Sequence, residues 1–167
     1  MNAYRKLKSG NFACTLTIIG SSPEIVQEED PDLTVIPFLD KSNPNDLEHL
    51  CTILYHAHFL ILPTEYDAFG IVFCEASAYA VPSFAANVCG VSQAIREGKN
   101  GYLLSPEATG EDYAEKIKTV FSNKETYQEL RASSRREFDI RLNWNVWSDR
   151  VNKILEDVVA GYKKQGK

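Results

Sequence analysis

The chain has 167 residues, 44% of them hydrophobic and 25% charged, and a formal net charge of −5. This is the length and composition of one globular domain with its own hydrophobic core. The acidic balance argues against a general nucleic-acid binder, although backbone amides can bind a compact phosphate without a basic surface. No apolar run approaches the roughly 20 residues of a membrane span, and residues 1–12 hold no signal-peptide core, which predicts a cytoplasmic protein.

The cysteines and histidines give little sign of a redox or metal centre. The cysteines are scattered without a CxxC pair, and most lie in apolar patterns typical of structural thiols; they are Cys14, Cys51, Cys74 and Cys89. His49, His56 and His58 are not spaced as metal ligands on one helix face. We therefore expect no metal and no other cofactor.

Short apolar runs alternate with helical patterns along the first two thirds of the chain. The apolar runs predict strands at residues 15–20, 33–38, 58–64, 81–86 and 102–105. The intervening patterns predict helices at residues 43–57, 70–79 and 92–97, and the pattern from Gly110 onward is purely helical. Strands separated by helices predict an α/β fold, a Rossmann-like parallel sheet flanked by helices. We expect one domain over residues 1–167, with the α/β core at 1–106 and C-terminal helices at 107–167.

The segment TEYDAFG, at residues 64–70, lies where a ligand is expected in such a fold. It follows the apolar run FLILP and precedes the helical segment IVFCEASAYA. Ligands of parallel sheets bind beyond the carboxyl ends of the strands. The first turn of a helix leaves amides without internal partners, and Gly70 lets a ligand approach the backbone closely. The pattern suits a phosphate or diphosphate group.

Glu75 is the unusual residue of this helix, because the residues before it are apolar. Helical side chains lean toward the N-terminus, so the carboxylate could reach a group just beyond the phosphates. A carboxylate accepts two hydroxyl hydrogen bonds, as a ribose or a sugar ring would offer. The alternative is an ordinary structural role, in which Glu75 pairs with the helix dipole or with a neighbouring cation.

The order of motifs in ILPTEYDAFGIVFCEASAYAVPSFAANVCGVSQAIREGKNGYLLSP resembles the donor-binding domain of group 1, family-4-type GT-B glycosyltransferases. That family has two acids eight residues apart around a Phe-Gly, then a strand with Pro, a Gly-Gly turn and a Gly-Leu-Leu strand. The matching positions are Asp67, Phe69, Gly70, Glu75, Ala76, Pro82, Gly90, Gly101 and Leu103. The resemblance extends over residues 12–106 and implies the C-terminal half of a GT-B fold.

The resemblance implies a role for each matching residue. Glu75 would hold the ribose hydroxyls of a nucleotide-sugar donor, and Asp67 would be the catalytic-site acid beside the donor sugar. The amides of Phe69, Gly70 and Ile71 would surround the sugar and the diphosphate. Residues of two earlier loops would approach the ribose and base, namely Gly20, Ser21, Ser22, Pro37 and Phe38.

The sequence also departs from the family pattern. Asp67 replaces a glutamate and is one methylene shorter, Ala68 replaces a glycine, and Cys89 interrupts the Gly-Gly turn. The family's first strand of this domain, whose following cations neutralise the diphosphate, has no counterpart, although it would be the central strand of the sheet. Either the sequence is a fragment, or neighbouring strands close the gap, or another chain fills it.

The resemblance implies the donor-binding domain of a retaining glycosyltransferase that moves a hexose to a glycan or lipid-linked acceptor, as in polysaccharide biosynthesis. The acceptor would bind an N-terminal domain absent from this sequence, so we expect the isolated chain to be inactive, and the full-length enzyme could be membrane-peripheral. The alternatives are a non-catalytic domain that binds a nucleotide or a protein, and another sugar-nucleotide enzyme such as an epimerase. Trp144 and Trp147 are predicted to anchor the last helix against the body, or to contact the N-terminal domain.

Overall fold

The computed structural model describes residues 1–21 and 30–165, with side chains as far as Tyr162 in the last helix. Strands and helices alternate in its first part, and helices alone make up the rest. The elements are α1 (Asn2–Ser9), β1 (Leu16–Ile19), β2 (Leu33–Ile36), α2 (Pro44–His56), β3 (Leu60–Leu62), α3 (Ile71–Ala78), β4 (Ser83–Ala86), α4 (Val91–Ala94), β5 (Gly101–Leu104), α5 (Gly110–Ser122), α6 (Lys124–Glu137), a π-helical turn (Phe138–Leu142) and α7 (Trp144–Gln165).

All strand pairs of the described residues are parallel, which confirms the predicted α/β fold with a parallel arrangement. The strands form two separate sheets, β1–β2 and β3–β4–β5. Leu16 is paired with Leu33 in the first sheet, and Ser83 lies between Leu60 and Gly101 in the second. Within the described ranges β1 and β3 do not pair, so the alternative in which neighbouring strands close the gap is wrong.

The core lies on both faces of the second sheet, and β4 is its buried centre. Phe84 points into a cluster with α5 and α6, whereas Ala85 points into a cluster with Phe73 of α3 and with α4. The continuous apolar run at residues 58–64 is typical of a strand that is covered on both faces, but Leu60, Ile61 and Leu62 of β3 are only half-buried. As an outer strand of its sheet, β3 has a neighbour on one side only.

Caps and side-chain contacts set the bounds of the helices. Helix α2 begins as expected from Asn-Pro, since the Asn43 side chain accepts the amide of Asn45 at 3.0 Å. Helix α4 is shorter than the predicted 92–97 and ends at Ala94. The buried Asn100 side chain donates to the Ala94 carbonyl at 3.0 Å and accepts the Arg96 amide at 2.8 Å, which replaces further helical bonds.

The C-terminal helices divide into a packed pair and an extended helix. Helix α5 lies along α1, and α6 packs on α5 and α3. The prediction that two tryptophans anchor α7 against the body is wrong, because Trp144 is 69% and Trp147 is 56% exposed. The two rings instead pack edge to face on each other, with their centroids 5.7 Å apart. Within residues 1–21 and 30–165, every helix is too short or too polar to cross a bilayer.

Candidate donor site

The loops that follow the strands lie at one edge of each sheet, as the parallel topology requires. We call this edge the rim; its described residues are 20–21, 37–43, 63–70 and 87–90. Gly20 follows β1 with a left-handed φ of 85°, and its amide donates to the carbonyl of Ile36 at 3.0 Å. This bond places Gly20 and Ser21 beside Pro37 and Phe38, which follow β2. The Phe38 ring is 81% exposed. Ser22, also implied in this group, lies outside the described residues.

The mouth of α3 has the predicted glycine geometry. Gly70 is the N-cap and adopts a left-handed φ of 77°, and a Cβ there would lie 2.3 Å from the buried ring of Phe73. Glycine is therefore required by both the backbone and the packing. Among the described residues, no protein acceptor pairs with the amides of Gly70, Ile71 or Val72. These three amides can receive an anion at the positive end of the helix dipole.

Asp67 shapes the loop before the helix. One of its carboxylate oxygens, Oδ1, accepts the backbone amide of Phe69 at 3.1 Å. Phe69 therefore uses its amide inside the loop, whereas the amides of Gly70 and Ile71 have no partner among the described residues. The second carboxylate oxygen of Asp67 is the part of this side chain that can address a ligand.

Glu75 is paired with a cation from another loop. Its Oε1 accepts a hydrogen bond from Nζ of Lys41, which follows β2. The Glu75 side chain is 29% exposed, and Ile71, one turn before it, is 53% exposed. The carboxylate is thus on the surface and ion-paired, which is the structural alternative left open by the sequence. The pair also joins the loop after β2 in the first sheet to the helix after β3 in the second.

The loop before α4 supports the mouth of α3 from the side. A Cβ on Gly90 would lie 1.9 Å from the carbonyl oxygen of Ala68, so the two backbones are in direct contact. Cys89, where the family has glycine, adopts a left-handed φ of 44°. The departure at Cys89 thus keeps a glycine-like backbone at a cost in strain.

The described residues of this rim offer backbone amides and carboxylates rather than a cluster of metal ligands. Within the described ranges, no three His, Cys, Asp or Glu side chains are grouped so that they could hold a metal ion. His58 instead contacts the rings of Phe121 and Tyr127. A cavity of about 370 Å³ lies elsewhere, beside β5 and α6. The candidate site is therefore an open surface formed by backbone amides and carboxylates.

Two cations that the sequence analysis passed over belong to the surroundings of the site. Lys41 lies in a loop that the topology places at the rim, so a cation there was a signal available in the sequence. No sequence pattern indicates a role for Arg141, because its partners Gln93 and Ala94 are 48 and 47 residues away along the chain.

Comparisons with known proteins bear on the chain as a whole. The family model described as "Glycosyl transferases group 1" matches residues 1–137. Spore coat protein SA of Bacillus subtilis is 26% identical over 130 residues, which cover 77% of this chain and 32% of that protein. The chain thus spans about a third of the length of this curated relative.

Solved structures share the fold. Sucrose-phosphate synthase of Thermosynechococcus elongatus superposes with a TM-score of 0.75 at 19% identity, covering 96% of this chain and 42% of the other. Anabaena HepE, solved in complex with UDP, superposes with a TM-score of 0.61 at 15% identity, covering 93% and 52%. At these identities the likeness is one of fold.

Proposed function

The chain belongs to the group 1 glycosyl transferase family, and from that premise we propose that it binds the nucleoside-diphosphate-sugar donor of a retaining hexosyltransferase. One observation carries the proposal. The amides of Gly70, Ile71 and Val72 have no acceptor among the described residues and point from the first turn of α3 toward the rim. Three such donors at a helix N-terminus fit a diphosphate.

In the proposed reaction the bond between the anomeric carbon of the sugar and the diphosphate oxygen breaks, and the oxygen of an acceptor hydroxyl bonds to that carbon. The hydroxyl proton passes to the departing diphosphate, and the nucleoside diphosphate leaves. The amides of Gly70 and Ile71 stabilise the negative charge that develops on the leaving oxygen. Asp67 accepts a hydroxyl of the donor sugar through the carboxylate oxygen that is not engaged by Phe69. We propose that these groups suffice without a metal ion.

Glu75 is proposed to accept the ribose hydroxyls. To do so it must exchange its ion pair with Lys41 for hydrogen bonds to the nucleoside. The exchange is affordable, because an ion pair of this exposure stabilises by at most about 1 kcal/mol. The exposed rings of Phe38 and Tyr66 at the same rim offer faces on which a base can stack.

The acceptor is proposed to be a glycan or a lipid-linked sugar bound by a further domain of a longer, cytoplasmic enzyme. Catalysis needs both reactants held together. We therefore expect this chain alone to bind the donor without transferring its sugar.

The proposal is tested by titrating the protein with UDP, GDP and ADP and measuring binding by calorimetry and amide chemical shifts. We expect binding of one nucleotide, with the largest shifts at Gly70, Ile71 and Val72. Glu75→Gln should weaken that binding about tenfold, because a hydrogen bond to a charged group is worth roughly 1.5–3 kcal/mol.

Glu65→Gln is the matched control. Glu65 is an exposed acid in the loop before α3, and its spacing to Glu75 does not match the two acids of the family motif. It should leave the affinity unchanged. Absence of binding for all three nucleotides, or equal affinities for the two variants, would contradict the donor site.

A non-catalytic domain that binds a nucleotide or a protein is the second candidate. The observation that favours it is the Lys41–Glu75 ion pair, which gives Glu75 a structural partner. In that case Glu75→Gln would lower the free energy of unfolding slightly and would leave nucleotide binding unchanged.

A further inference from the structure

Arginines behind the rim donate hydrogen bonds to the ends of the helices that begin at it. Two of them come from α6 and contact the end of α3. Arg135 donates to the carbonyl of Ala78 at 2.8 Å, and Arg131 donates to the carbonyl of Ala80 at 3.3 Å. A guanidinium group at a helix C-terminus satisfies carbonyls that lack helical partners and interacts favourably with the dipole.

Arg141, from the π-helical turn, makes the corresponding contact with α4. Its two terminal nitrogens donate to the carbonyls of Gln93 and Ala94, the last residues of α4. Its Nε donates to Glu137 at 2.7 Å, and both side chains are only 9% exposed. Arg96 lies 3.5 Å from the same carboxylate. Each of the three nitrogens of this guanidinium group thus donates one hydrogen bond, two of them to α4 and one to Glu137.

The short helix α4 connects the carbonyls held by Arg141 to Gly90 at the rim. Helix α4 has only four residues, about 6 Å in length. Gly90 precedes it directly and rests on the carbonyl of Ala68, in the loop that carries Asp67. A shift of α4 along its axis would therefore press on this loop or withdraw its support.

Arg141 also lies close to α3. Burial raises the pKa of the Cys74 thiol, and the positive charge of Arg141 opposes that shift. Cys74 is the neighbour of Glu75 in the first half of α3. The π-helical turn that carries Arg141 packs on α3, while the Arg141 side chain holds the end of α4.

We propose that Arg141 is a positioning residue of the donor site: by holding the last carbonyls of α4 it keeps Gly90 against Ala68 and fixes the loop from Asp67 to Gly70. The inference rests on the proposed function for its effect on nucleotide affinity. Its effect on the loop does not depend on any ligand.

The test compares Arg141→Met with Arg141→Lys and with Arg150→Met, a control that removes the same charge from an exposed position on α7. Arg141→Met should displace the amide signals of Gly90, Phe69 and Gly70 and weaken UDP binding at least fivefold. Arg141→Lys should restore part of both, because it keeps the charge but cannot span two carbonyls. Arg150→Met should match the wild type.

Loss of stability alone does not move the affinity measured on folded protein, so the two roles are separable. Should Arg141→Met fail to fold because Glu137 is left buried without its partner, Arg141→Met with Glu137→Met removes both charges and answers the same question. Wild-type affinity and unchanged signals at Gly90 and Phe69 in the folded variant would overturn the proposal. Wild-type protein that binds none of UDP, GDP and ADP, while Arg141→Met still displaces these signals, would reject the donor assignment and keep the role of Arg141 in positioning the loop.

Discussion

Lys41, in the loop after β2, and Glu75, in helix α3, form one ion pair at the rim. Lys41 is 53% exposed and Glu75 is 29% exposed, so water screens much of their attraction. In the donor complex that we propose, a ribose has to replace Lys41 as the partner of the carboxylate. The position of this one lysine thus sets the free-energy cost of using Glu75 as a ligand group.

Lys41→Met should therefore tighten UDP binding by up to about fivefold, because the exposed pair that must be broken is worth at most about 1 kcal/mol. Isothermal titration of wild type and variant at equal ionic strength measures the change. Lys124→Met, at an exposed site on α6, is the control for net charge. A weaker affinity in Lys41→Met than in Lys124→Met would mean that Lys41 contacts the nucleotide itself.

At the scale of elements, the loops before α3 and α4 support each other through backbone alone. The carbonyl of Ala68 lies where a side chain at position 90 would begin. Two loops in such contact move together, because neither has a flexible side chain between them that could yield. The left-handed backbone at Cys89 places Gly90 in this contact.

Gly90→Ala should lower the free energy of unfolding by about 1–3 kcal/mol, the usual cost of overpacking, and should weaken nucleotide binding as well. The added Cβ would lie 1.9 Å from the Ala68 oxygen. Gly161→Ala is the control, because nothing lies within 4 Å of that position and alanine favours the helix. Denaturant unfolding with a UDP titration checks both effects, and equal stability of the two variants would contradict the contact.

Helix α5 shows how an element can carry its own pH dependence. Thr109 and Asp112 form a capping box: the Asp112 carboxylate accepts the Thr109 amide at 2.7 Å and its hydroxyl at 2.8 Å. The backbone amide of Thr109 and then its hydroxyl lower the pKa of Asp112. A carboxyl group whose pKa is lower in the folded than in the unfolded state stabilises above the unfolded value and loses that stabilisation as the pH falls.

Asp112→Asn should therefore be less stable than wild type near neutral pH. The difference should shrink as the pH falls below about 4, where the unfolded carboxyl group titrates, and passes through the lowered folded pKa. Unfolding midpoints in urea between pH 7 and pH 2.5 measure this. Asp149→Asn, on an exposed position of α7, is the control and should leave the unfolding midpoint at pH 7 close to that of the wild type. A constant difference at all pH values would contradict the role of the capping box.

At the scale of the whole molecule, packing against helices connects the two sheets, which strand hydrogen bonds do not connect. The two sheets share no strand hydrogen bonds among the described residues. Phe12 and Cys14, which precede β1, nevertheless pack on the same hydrophobic cluster as Phe59 and Ile61, which lie just before and within β3. Helices α1 and α5 complete that cluster. Helix α7, in contrast, keeps most of its apolar residues exposed, so it adds little to the common core.

The replacement of Trp144 and Trp147 together by alanine should accordingly lower the free energy of unfolding by less than about 1 kcal/mol, as is usual for exposed positions. Phe84→Ala should cost about 3–5 kcal/mol, because Phe84 is fully buried at the centre of the second sheet. Thermal and denaturant unfolding compare the two. A comparable loss in both variants would mean that α7 is packed against the body in solution.

The sequence by itself determined the alternation of strands and helices from β1 to β5, the parallel α/β arrangement and the position of the rim. Strand runs, the Asn43 cap and Gly70 act through neighbours a few residues away, and such local effects can be seen in a sequence. The motif from Asp67 to Glu75 also identified the family before any coordinates.

Only the tertiary structure decided which side chains meet. Lys41 reaches Glu75 across 34 residues, and Arg141 reaches α4 across nearly 50. The separation of the two sheets and the exposure of Trp144 also could not be predicted from sequence patterns. Each of these depends on how whole elements pack, because a side chain's partners and its exposure are set by surfaces that are brought together only when the chain folds.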